Sequence, residues 1–227
     1  MLKNQKTKLL IALIALGVFS YAPQAISFGL GDIGVGSKTT SASTGGDPDA
    51  FIKTAASAEK LMNESVTHLV KSLASKKESA DIEATMKAAN TTTDAKEKQA
   101  KETEVKKSQD AALNEALNSA DLKDKIKKMD SKQREALGAS AFNFSLALLQ
   151  DKSLSDQASG LISSMSSNPM NATKLASVKD VASSVSNQIS SASKIAGKMP
   201  DIFTAVGVKA PATKDEKPMV IVQTDKE

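Results

Sequence analysis

The sequence contains no cysteine. In an oxidising compartment that excludes disulfide staples, and it excludes thiolate metal sites anywhere. Tryptophan is absent too, tyrosine occurs once, at Tyr21, and the remaining aromatics are six phenylalanines. Stacking platforms for bases or sugars, and the Tyr and Trp anchors of tight interfaces, are therefore scarce. Arg134 is the single arginine, so the forked donors that recognise phosphate bidentately are nearly missing. With His68 as the single histidine, a two-histidine zincin site or a pair of Glu-x-x-His motifs cannot be built. Ser–His and Cys–His nucleophile arrangements lose their support as well, and no serine sits in a G-x-S-x-G elbow.

The first 27 residues, MLKNQKTKLLIALIALGVFSYAPQAIS, have the three parts of a secretory signal peptide. Lys3, Lys6 and Lys8 form a positive start, Leu9 to Ala22 an apolar stretch, and Ala25-Ile26-Ser27 a small-residue cleavage site. The 14 residues of the apolar stretch fall short of the roughly 20 that span a bilayer. The expectation is cleavage after Ser27, without a lipid-modified cysteine, and a mature chain in the periplasm or outside the cell. A short lysine-rich leader before a cysteine-free exported chain points to a bacterial source.

Removing the leader changes the charge argument. Three of the 30 basic residues and none of the 26 acidic ones lie in it, so the mature chain carries a net charge of +1. A nearly neutral chain exerts no general pull on nucleic acid or on anionic lipid. The expected partner class is protein, with no nucleic acid and no stable membrane span after cleavage. Nothing in the sequence names the partner or the oligomeric state.

Residues 28–46, FGLGDIGVGSKTTSASTGG, read as a Gly/Ser-rich linker. Their glycines lack the preceding strand and the spacing of a nucleotide loop. Asp47-Pro48 then gives a capping carboxylate and a proline at the first helical position. The helix it starts should reach about Lys76, burying Ala55, Ala58, Met62, Val66, Leu69 and Leu73 at three- and four-residue steps. A second, short helix, Ala80–Ala89, is expected to form a hairpin with it. Lys96–Lys107 is a solvated helix laced with charges of both signs. It turns amphipathic after Asp110, through Ala112, Leu113, Ala116 and Leu117, and a short piece with Leu122, Ile126 and Met129 follows.

Glu135–Gln150, EALGASAFNFSLALLQ, is apolar on more than one helical face, as a helix buried on most sides is. Asp130 or Ser131 caps it. Asp151–Ser155 reads as a turn and Gln157–Ser166 as a separate helix, stopped by Asn168-Pro169. In Ala172–Lys198, Leu175, Val178, Ala182, Val185, Ile189, Ala192, Ala196 and Met199 alternate at three and four residues, a coiled-coil-like seam. Pro200 ends it, and Ile202, Phe203 and Val206 cap the core. Residues 209–227 read as a disordered tail. Within it, Met219-Val-Ile-Val222 has the β-branched composition of a segment that adds to a sheet edge, although a solvated tail is the preferred reading.

The fold class is thus all-α: an elongated, mostly antiparallel bundle of five or six helices over residues 47–208, between flexible ends. No residue is assigned to catalysis, cofactor binding or metal ligation. Glu64 stands one turn before His68, but nothing completes a metal site. Asp121, Asp124 and Asp130 are interleaved with lysines and lack an EF-hand loop. The expected function is a non-catalytic interaction or structural role in the cell envelope. The alternative is a membrane-active protein that inserts residues 137–149; an enzyme with an unrecognised carboxylate site comes last. A 13-residue helix is about 20 Å long, too short for an apolar layer about 30 Å thick, so burial in protein is favoured.

Overall fold

The structure is a computed structural model, and it describes residues 46–167 and 172–222. The expected signal peptide, the expected linker up to residue 45, the expected helix stop at Asn168-Pro169 with the two residues after it, and residues 223–227 lie outside the described residues. Among the described residues the chain is all-α, without a strand. The described residues form seven helices: α1 (Pro48–Leu73), α2 (Lys76–Thr91), α3 (Ala95–Asn118), α4 (Leu122–Lys128), α5 (Ser131–Ser166), α6 (Ala172–Ala196) and α7 (Met199–Val206).

Local chemistry starts most of these helices. The Asp47 carboxylate accepts from the Asp49 N–H, with Pro48 beside it at the helix start. Asp94 accepts from the Glu97 N–H. Ser75 with Glu78, and Asp130 with Gln133, form reciprocal capping boxes. Each such cap satisfies donors that the first helical turn leaves open, worth about 1 kcal/mol. Gly207 closes α7 at φ 74°, donating to the Phe203 carbonyl, a left-handed conformation that glycine adopts without steric cost.

The apolar stripes meet in two clusters. One joins Met62–Leu73 of α1, the buried faces of α2, α3 and α4, residues 137–148 of α5, the end of α6 and α7. The other joins Phe51, Ala55 and Ala58 of α1 to Leu154, Ala158, Leu161 and Met165 of α5 and to Val178 and Val185 of α6. Early α1 and early α6 thus pack against late α5. The two helices run parallel to each other and antiparallel to α5, and Lys174 pairs with Asp49 at 2.7 Å where they begin. Every residue from Ala136 to Leu148 is buried except Ser145, which is half-buried. The central apolar run is therefore core.

Several elements depart from the sequence reading. No turn forms at 151–155: α5 runs unbroken for 36 residues. Asp and Ser are weak helix formers but not breakers, and Leu154, Ala158, Leu161 and Met165 continue the buried stripe across the expected break. The expected hairpin partner is also different, since α2 packs chiefly on α3 and only grazes α1. Ile82 and Ala89 give α2 its buried face, and α1 has already spent its stripe on α5. Pro200 begins a helix rather than only ending one, because α6 stops at Ala196 and α7 takes the proline into its first turn. With α4 and α7 each closing as a short helix, the described residues hold seven helices where five or six were expected.

The expected disordered tail is tied down over its described part. Residues 209–222 form neither helix nor strand, yet they lie against α5. A Cβ on Gly138 would stand 2.7 Å from Val208 Cγ2, so the chain crosses α5 where a side chain is missing. Gln150 donates through Nε2 to the Lys214 carbonyl at 3.1 Å. The Glu216 carboxylate accepts from the Ala212 and Thr213 N–H groups, which closes a turn. Asn143 then donates to the Met219 carbonyl at 2.8 Å and accepts from the Met219 N–H at 2.7 Å. The segment is a strap that runs out along α5 and back. Composition misled here because a few side-chain amides, rather than an apolar stripe, hold the chain.

Candidate functional site

Two features stand out from the packing: a polar layer where the two core clusters meet, and the exposed end of the strap. The layer centres on Asp151. Leu148 belongs to one cluster and Leu154 to the other, and Asp151 sits between them on the same face of α5. It is fully buried, and neither carboxyl oxygen has a hydrogen-bond partner. Burial raises its pKa from 3.8 to about 7, helped by the negative charge of Glu59. A charge leaving water without a partner favours its neutral form. Glu59 lies on α1 between Ala58 of one cluster and Met62 of the other, and Lys106 of α3 pairs with it at 3.2 Å. On α6, Ile189 packs against both clusters, and the neighbouring Gln188 leaves its buried amide nitrogen unpartnered.

The arrangement can titrate near neutral pH. No group of three or more metal-ligating side chains stands together among the described residues. The sequence reading missed Asp151 by placing it in a turn. Its spacing carried the signal: Leu148, Asp151, Leu154, Ala158, Leu161 and Met165 follow three- and four-residue steps, so the carboxyl falls on a core stripe.

The strap ends differently. Met219, Val220 and Val222 are the exposed large apolar side chains among the described residues, at 37%, 77% and 38% exposure. Asn143, which positions Met219, is itself 2% exposed in an apolar stretch of α5. A polar side chain placed there is satisfied by the strap backbone, as buried amides require. Residues 220–222 make no hydrogen bonds.

The residues weighed from the sequence are scattered. His68 is half-buried, and its pKa is lowered by burial and by Lys71, with Glu64 opposing; it is a boundary histidine. Asp130 caps α5 and Asp124 pairs with Lys127. The solvated face of α3 is as expected, with Val105 buried within it. Asp110, half-buried on the same helix, has its pKa raised by burial against the opposing charges of Lys106 and Lys194. Two open clefts, of about 480 and 590 Å³, flank the α1–α2 corner and share Leu73, Ala74, Ser75 and Lys125. Glu78, which lines the second cleft together with Glu115, is engaged in the Ser75 cap, which lowers its pKa. No helix among the described residues is long and apolar enough to cross a membrane. Comparison with known protein families, curated proteins and solved structures found no match to this chain.

Proposed function

We propose that this chain is an exported, non-catalytic helical protein that acts by contact with another protein of the cell envelope. The signal-peptide pattern of residues 1–27 supports export. The observation that carries the contact reading is the strap: the bundle covers its large apolar side chains, yet a buried asparagine pins the Met219 backbone at the surface, where Val220 is largely exposed and Met219 and Val222 are exposed over more than a third of their surface. Apolar side chains exposed singly are ordinary, whereas a contiguous exposed group marks an interaction site. The bundle is then a rigid mount for a recognition segment.

The test is site-specific photo-crosslinking in the native envelope. A benzophenone side chain at position 220 of the exported chain is expected to give one discrete protein adduct. The same group at the exposed position 107 of α3 should give none. Equal labelling from both positions, or none from either, refutes the contact reading.

A further inference from the structure

We infer that residues 219–222 bind by adding a strand to an exposed sheet edge of the partner protein. This rests on the contact reading above and supplies its geometry. Val220, Ile221 and Val222 are β-branched residues of high strand preference in a chain whose described residues form no strand. A local preference that contradicts the surrounding fold is expected where function, rather than stability, chooses the residues. Pro218 fixes its own φ and drives Lys217 away from helical backbone, so the approach to Met219 is biased towards extended chain. Proline is also tolerated at the first position of a strand, where its missing N–H costs least.

Asn143 adds a direction. Its side-chain amide meets the Met219 backbone with one donor and one acceptor, at 2.8 and 2.7 Å, the pairing that a neighbouring strand would offer. In a strand, the N–H and C=O of one residue point to the same side, and successive residues alternate. With Met219 turned towards α5, extending the segment as a strand would open the backbone groups of Val220 and Val222 to the opposite side, where a sheet edge fits. α5 cannot serve as that edge, because its own backbone groups are used within the helix. A second copy of the segment fits less well, since an isolated pair of such short strands is marginal in water. A pre-existing sheet supplies both the ladder and an apolar surface for the exposed valines, which is how strand addition gains affinity and specificity.

The experiment uses the full exported chain in its envelope. Benzophenone is placed in turn at 220, 221 and 222, and the first of these is repeated in Val222→Pro and Ile221→Pro backgrounds. Strand addition predicts that 220 and 222 label the partner alike while 221 differs from both. It also predicts that Val222→Pro, which removes an N–H facing the partner, lowers the adduct by about tenfold, the order expected when a lost backbone bond strands its acceptor. Ile221→Pro, which removes an N–H on the α5 side, should leave the adduct in place. An adduct without alternation, and equally sensitive to both prolines, overturns strand addition and leaves the contact reading standing. An adduct of twice the chain's own mass overturns the sheet-edge partner in favour of self-association. No adduct from any of the three positions overturns both readings.

Discussion

Asp151 should make the bundle less stable as pH rises towards neutrality, and replacing it should remove that dependence. The unfolded carboxyl ionises near 3.8, while the folded one holds its proton to about 7. Between those values the folded state binds more protons than the unfolded state, so stability falls as pH rises. Below pH 3.8 both states are protonated and there is no penalty; above about 7 both are ionised and the penalty is constant. At about 1.4 kcal/mol per pH unit, the full penalty is on the order of 4 kcal/mol. That is large against the roughly 5–15 kcal/mol that holds a domain together. His68 acts in the opposite sense, since its lowered pKa removes stability as pH falls through the histidine range. The comparison must therefore be with a variant that keeps His68. Urea denaturation of the mature chain and of Asp151→Asn, followed by far-ultraviolet circular dichroism between pH 4 and 8, provides it. The variant should gain on the parent from pH 4 to about 7 and then hold a constant advantage, and Asp151→Leu should be the more stable protein at pH 8. Glu59→Gln should move the parent's midpoint to lower pH, because the Glu59 charge helps hold the proton on Asp151. Parallel profiles for the parent and Asp151→Asn would refute the reasoning, as would an Asp151→Asn protein less stable than the parent at pH 8.

Further outcomes follow from the packing. Phe144 is fully buried, so Phe144→Ala should cost about 3–5 kcal/mol in chemical denaturation, and pairing it with Phe142→Ala should unfold the domain. Gly138→Ala adds a methyl 2.7 Å from Val208. It should raise helix preference by about 1 kcal/mol while displacing the strap, seen as faster protease clipping within 209–222 over an intact core. Asn143→Leu should free the same segment without melting α5, checked by the same digestion. N-terminal sequencing of the exported protein should begin at or next to Phe28; a chain retaining Met1 in the inner membrane would remove the proposed location.

Much of the helical framework is local chemistry and could be read directly. Asp47-Pro48, Asp94 and Asp130 each lie where a helix begins, because a cap needs only its own first turn. The stripes of α1 and α6 are legible for the same reason: on α6, Val178, Val185 and Ala192 recur at one face and are buried, with Leu175, Ala182, Ile189 and Ala196 of the same seam half-buried beside them. Tertiary packing decided the rest. Whether Asp151–Ser155 turned or continued depended on α1 and α6 covering the residues beyond it, since propensity differences there are below about 1 kcal/mol per residue and burying one leucine outweighs them. The pairing of α2 with α3, the strap across Gly138 and Asn143, and the raised pKa of Asp151 all arise between residues far apart in the chain. Periodicity marks which face of a helix avoids water. It does not say which other face will cover it, nor that a carboxyl on that face will be left without a partner.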